Sequence, residues 1–332
     1  MMKSKIMKHN LLVLLSIIIL STMLMGCQPK AALQPVRYGG QLYPEEFLLS
    51  GDPEIWSKYG ITVEHTLFSS GTENNQALIS GAVDINIGSD SKTVSLFSAI
   101  PDDAVIIAVS QRGDRYSTMI KKGAAYKTWY DLKGKKIGIR LGTGAEQVVR
   151  RYFQNIGDLK WEDFEWINLK IEDMTAALAD GSIEAFTAWE PTPAMAEAQG
   201  VGEVMMSYGD VALTPVFIQT TKKYASEHHD ELVAFLAAHY DKLEMIQSDP
   251  QKAAEIAAKA ASASGTEVSP NVFETIFKRV DFSLEIDQST LDSLNDTAQF
   301  LLDLGEIQAL PKYTVDASFL NEAKKLYESK RK

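Results

Sequence analysis

One cysteine, Cys27, is present in the 332 residues, so no internal disulfide can form and a disulfide-braced scaffold is excluded. Histidines are few, and none of the five has metal-ligand spacing. His9 lies in the basic N-terminal segment and His65 in an alternating strand, while His228, His229 and His239 fall on a helix expected to be surface-exposed or capping. There is no Gly-x-Ser-x-Gly elbow. The nearest Gly-Lys pair, Gly134-Lys135, has Trp129 where a phosphate loop needs its upstream glycine. Positive charge is also scarce: 33 Lys and Arg face 44 Asp and Glu, a formal net charge of −11, which argues against a nucleic-acid partner. No internal repeat, low-complexity tract or interdomain linker interrupts the chain.

What is present begins with an address. "MMKSKIMKHN" carries Lys3, Lys5 and Lys8, the run Leu11 to Met25 is uncharged, and "LMGC" closes the segment. A basic start, an apolar middle and a small-residue ending describe an export signal, expected over 1–26. The apolar run is short for a permanent span, which needs about 20 residues. Cys27 directly after Leu24-Met25-Gly26 resembles a bacterial lipobox, whose cysteine is lipidated after cleavage. Residues 27–35, polar and Pro-containing, then read as a tether. Losing the three signal lysines takes the formal charge from −11 to −14, suited to a solvated extracytoplasmic surface.

From Val36 to about Lys222, strand-like and helix-like segments alternate, which indicates an α/β fold on largely parallel sheets. Ten strand candidates fall into two groups around "SQRGDRYS" and "YGDVALTP". The expected architecture is therefore two lobes with a cleft, lobe 1 from 36–112 and 214–332 and lobe 2 from 113–213. The helix from Gly144 carries Val148, Val149, Tyr152, Phe153 and Ile156 on one 3.6-period stripe. Beyond Tyr224 the texture is nearly all helix, with Ser226 as an expected N-cap and Pro250 as a stop.

Three strand-to-helix turns are rich in hydroxyls and small residues: Ser69 to Asn74, Gly88 to Thr93 and Gly142 to Gln147. Each offers free N–H groups where the helix macrodipole adds partial positive charge. In open α/β sheets such turns gather at the carboxyl ends of strands, where ligands bind. Ordinary helix capping by Ser70, Thr72, Ser89 and Asp90 is the plainer alternative. In "AFTAWEPTPA", Trp189 and Glu190 end a strand and place an indole wall beside a carboxylate that can accept from an amine or amide.

"LFSSGTENNQALISGAVDINIGS", "TWYDLKGKKIGIRLGTGAEQVVRRYF" and "ALADGSIEAFTAWEPTPAMAEAQG", in this order and spacing, resemble the solute-binding proteins of ABC importers for aliphatic sulfonates, taurine, nitrate and thiamine-pyrimidine precursors. The resemblance covers roughly 36–327. It implies a two-lobe periplasmic-binding fold that closes on a small ligand, with Gln41, Ser69, Ser70, Gly71, Ser89, Asp90, Thr143, Gly144, Trp189 and Glu190 lining the cleft. It implies no catalytic residue, metal or cofactor, and partners in a permease and an ATPase, with the membrane reached through lipid on Cys27. Lys92 or Arg112 would supply positive charge. "GSDSKTVS" departs from the proline-containing turn of many sulfonate binders, and Glu190 favours a ligand bearing an amine. Two alternatives stay open: a sensor presenting its closed form to a membrane receptor, and an enzyme on the same scaffold, such as a thiamine-pyrimidine synthase.

Overall fold

The computed structural model describes residues 33–265 and 267–331. The expected signal and Cys27 lie outside them. Among the described residues ten strands form two five-stranded sheets, and both sheets belong to one compact unit, Gln34–Lys332.

The first sheet contains β1 (Val36–Gln41), β2 (Val63–Phe68), β3 (Ile85–Ser89), β4 (Ala104–Gln111) and β10 (Val216–Thr221), in the order β2-β1-β3-β10-β4. The second contains β5 (Tyr116–Lys121), β6 (Lys136–Ile139), β7 (Glu165–Asn168), β8 (Ala185–Trp189) and β9 (Gly202–Ser207), in the order β7-β6-β8-β5-β9. Strands β1, β2 and β3 run parallel, as do β6, β7 and β8. The sheets are largely parallel, as expected, with one antiparallel strand in each. β10 is antiparallel to β3 and β4, and β5 is antiparallel to β8 and β9. Both are the strands by which the chain enters a sheet from the other one, and a strand arriving from that side runs against its neighbours.

Two segments therefore connect the sheets, 112–115 between β4 and β5 and 208–215 between β9 and β10. Hydrogen bonds hold them side by side: Gly113 N donates to Leu213 O at 2.7 Å, and Gly209 N to Asp114 Oδ1 at 2.7 Å.

Alternation along the strands decides which face each residue buries. In β5, Tyr116 and Ile120 enter a cluster with Ile137, Ile139, Val148, Val149 and Phe153, while Met119 faces the opposite side with Met174, Leu178 and Phe186. The helix Gly144–Ile156 supplies Val148, Val149 and Phe153 to this core and leaves Tyr152 and Ile156 half-buried. Each fully buried side chain of this size contributes about 1.5–3 kcal/mol. Gly157, at φ 79°, ends the helix in the left-handed conformation that a glycine adopts freely.

The C-terminal helices differ from expectation in two details. Thr221, not Ser226, caps the first of them: its hydroxyl accepts from Tyr224 N, and the helix Lys222–Glu227 breaks at His228 before His229–Ser248 begins. His239 is fully buried, packed against Trp56, Phe235 and Tyr38. Burial lowers its pKa well below the ordinary value, an effect Lys242 adds to. Among the described residues no helix is long and apolar enough to cross a membrane.

Candidate functional site

Helix starts from both sheets meet at the carboxyl ends of the strands. β3 ends at Ser89, and the helix Asp90–Ala99 follows without a loop. In the second sheet β6 leads into Gly142, at φ 71°, and Thr143 caps the helix Gly144–Ile156 by accepting from Ala145 N. The two helix starts share a cavity of about 30 Å³, walled by Ser91, Lys92, Gly142, Thr143 and Gln147, and by Leu301 and Leu304 near the end of the helix Gln288–Asp303.

That last helix fastens the two starts together. Thr297 Oγ1 donates to Asp90 Oδ2 at 2.7 Å and accepts from Gln147 Nε2 at 2.8 Å. Arg151 Nη2 reaches the same hydroxyl at 3.2 Å. Asp90, Thr297 and Gln147 are all buried, so a hydrogen-bonded bridge runs from one sheet's helix to the other's through a third element. An opening motion would break it.

The sequence-selected residues divide by what holds them. Gln41, at the end of β1, is buried, and its Oε1 would lie 3.4 Å from a Cβ placed on Gly71, as would Lys92 Cγ at 2.8 Å. Gln41, Gly71 and Lys92 are thus neighbours. Ser69 is exposed and donates to Glu73 Oε2, and Ser70 caps the helix Gly71–Ile79 through Glu73 N. Ser89 Oγ lies 3.3 Å from Ser91 Oγ, and Asp90 Oδ1 accepts from Ser91 N. Gly144 packs so closely on Tyr116 that an added Cβ would sit 2.2 Å from the phenol oxygen. Trp189, half-buried, meets Tyr116 edge-on at 6.2 Å. Glu190 is 3 % exposed and turned inward: Oε1 accepts from Arg279 Nη1 at 2.7 Å, and Oε2 from Ala194 N at 3.1 Å. Its carboxylate meets a guanidinium of the helix Pro270–Arg279 where an amine-bearing ligand was expected.

The two candidate cations separate as well. Lys92 lines the cavity, and burial lowers its pKa, with Glu306 opposing. Arg112 is bound to Asp281 and Asp287, each at 2.7 Å. Arg115, three residues on and not singled out from the sequence, is 1 % exposed. Its guanidinium lies 5.3 Å from the Tyr43 ring centre and 5.2 Å from that of Tyr116, and Nη1 donates to Thr214 O at 2.7 Å. Burial works against its charge, but the phenols of Tyr116 and Tyr43 and the carboxylates of Asp90 and Glu45 outweigh burial and raise its pKa. Among the described residues no group of histidine, cysteine and carboxylate side chains could hold a metal ion.

Two mixed sheets joined by two paired crossings, with helix starts of both at one cavity, define a two-lobe periplasmic-binding fold. The chain belongs to the NMT1-like family, whose model matches residues 45–262. It is 25 % identical over 298 residues to the taurine-binding periplasmic protein of Escherichia coli K12, covering 85 % of this chain and 90 % of that protein. It spans 66 % of the length of its binding-protein relatives in Brucella abortus, at 24 % identity. Among solved structures, the periplasmic aliphatic sulphonate binding protein SsuA of E. coli superposes with a TM-score of 0.74 at 20 % identity, covering 83 % of this chain and 89 % of that one. A desulfurization enzyme, DszB, shares the fold at a TM-score of 0.68 and 14 % identity, covering 89 % and 99 %.

Proposed function

We propose that the chain is the extracytoplasmic solute-binding component of an ABC importer, anchored by lipid on Cys27, and that its solute is a small organic anion of the sulfonate type. The observation that carries the reading is the cavity shared by the Ser91–Lys92 and Gly142–Thr143 turns, one from each sheet. A guest held there contacts both halves only when they are together, so it shifts an open–closed equilibrium toward closure by its better contacts in the closed state. The taurine-binding relative supports the same ligand class. On this reading the lobes are 36–112 with 214–332, and 113–213. Gln41, Gly71, Ser89, Thr143, Gly144 and Trp189 belong to the cleft, while Ser69 and Ser70 shape its rim. The permease and ATPase are separate proteins.

The enzyme alternative draws on the fold of DszB alone. His65 and His239 are committed to a buried cluster around Tyr38 and are not among the cavity's lining residues. Calorimetric titration with alkanesulfonates, taurine, nitrate and aminopyrimidines tests the proposal. Heat from sulfonates with closure seen by small-angle scattering supports it, and no heat from any of the four overturns it.

A further inference from the structure

Thr214, in the second crossing, holds a backbone conformation that its own side chain and its successor both oppose. It is the one non-glycine residue with positive φ, 42°, among those described, and it is 1 % exposed. A β-branched residue is an outlier there, because its Cβ is pushed against the following carbonyl oxygen. Pro215 comes next, and a proline ring presses the residue before it toward extended backbone at negative φ. The first crossing makes its positive-φ turn with Gly113, at 83°, where no Cβ is present to clash. Gly113 N donates to Leu213 O at 2.7 Å, so a relaxed turn and a strained one lie side by side.

A conformation of this kind persists only where the surroundings enforce it. At Thr214 the enforcing contact is Arg115, whose Nη1 donates to Thr214 O at 2.7 Å. The Thr214 hydroxyl adds no hold of its own, since it has no hydrogen-bond partner. Arg115 is wedged between a ring from each lobe. Its guanidinium lies 5.3 Å from the ring centre of Tyr43, which follows β1, and 5.2 Å from that of Tyr116, which opens β5. When the lobes part, those rings separate, Arg115 loses one wall, and Thr214 is free to return to extended backbone. The next strand can absorb the change: β10 pairs with β4 through a register shift between Val216 and Phe217, so the regular ladder starts beyond the turn.

We infer that Thr214 is a loaded hinge: closing the lobes forces it into the left-handed region, and its return to extended backbone drives them apart. Closure then works against a built-in opposing force, and a guest is held only while its contacts exceed the strain. The inference rests on the binding-protein reading, in which the lobes close on a solute.

The test is the distance between two spin labels on the mature chain carrying Cys27→Ser. Gln76→Cys and Gln154→Cys place the labels at exposed positions of the helices Gly71–Ile79 and Gly144–Ile156. Pulsed electron resonance reads the closed-to-open ratio without solute, with taurine and with ethanesulfonate. The same series is run in a Thr297→Val background, where the broken bridge brings the open form into range. Thr214→Gly, for which positive φ is free, is expected to raise the ratio about tenfold and to tighten solute binding by a similar factor. Thr214→Asn, which tolerates left-handed backbone, should raise it about threefold. Thr214→Val, branched like threonine, should leave it unchanged within about twofold. A merely structural role predicts no gain of closure from any of these changes. Equal ratios for wild type, Thr214→Val and Thr214→Gly overturn the inference, as does a lower ratio in Thr214→Gly. Closure driven by either solute in all three would leave the binding-protein reading intact. A single unchanging distance in every variant, with and without solute, overturns both.

Discussion

Replacing Arg279 by methionine keeps much of the side-chain volume and removes the guanidinium that meets Glu190. The effect on stability should depend on pH in a calculable way. Burial pushes Glu190 up to about 7 from an ordinary 4.5, with Arg279 and the Ala194 N–H pulling the other way. The fold thus favours the protonated carboxyl, and the free energy of unfolding loses ground as pH rises from the lower value toward the higher. In the wild type the loss levels off above about 7, where Arg279 lets the carboxylate form. Without Arg279 it continues, at about 1.4 kcal/mol per pH unit. The variant should therefore be destabilised by about 1.4 kcal/mol more near pH 8 than near pH 5. At the lower pH the residual loss, about 1–3 kcal/mol, reflects the broken hydrogen bonds to Glu190 and Glu197. Urea unfolding followed by tryptophan fluorescence at the two pH values measures both terms, and Glu190→Gln combined with Arg279→Met should flatten the dependence. An identical loss at both pH values would refute the reasoning.

Thr297→Val deletes the hydroxyl between Asp90 and Gln147 and leaves two buried polar groups short of a partner. It should lower stability by about 2 kcal/mol in denaturant titration and populate a more open form by scattering. Gly144→Ala drives a methyl group into the Tyr116 phenol, an overpacking cost of about 1–3 kcal/mol readable as a lower urea midpoint. Asp287 caps the helix Gln288–Asp303. Desolvation raises its pKa, but hydrogen bonds from Thr290, Ser289 and Arg112 outweigh that and hold the carboxyl well below the usual carboxylate range. Asp287→Ala should cost about 1–2 kcal/mol near neutral pH. Because the folded-state pKa is depressed, the difference from wild type should shrink as pH falls below the ordinary carboxylate value.

The alternation of strands and helices was legible because each short β-branched run is bounded by turn residues. The placement of β5 and β10 was not, since nothing within "STMIKK" or "VFIQTT" says which neighbours they find across the chain. At the site, the three polar turns could be picked out from their composition. Of the two arginines in one short loop, Arg112 was the one singled out and Arg115 was passed over, because nothing local distinguishes them. Folding sends the first to Asp281 and Asp287 and the second inward between two tyrosine rings. Glu190 looked available because it follows a strand beside Trp189; its partner, Arg279, lies 89 positions away. For His239 a local signal existed. The helix around it reads "LVAFLAAHY", apolar on every side, and a helix of that kind is buried all round.

The mid-sheet position of β10 bears on how the polypeptide emerges from the ribosome. Strands β1 to β4 are made early, yet β3 and β4 are joined only through a segment synthesised about a hundred residues later. All five strands of the second sheet, by contrast, lie in one uninterrupted stretch of chain. That sheet can complete itself during translation while its older neighbour waits, with an open seam beside Ile85–Ser89, for the strand that closes it.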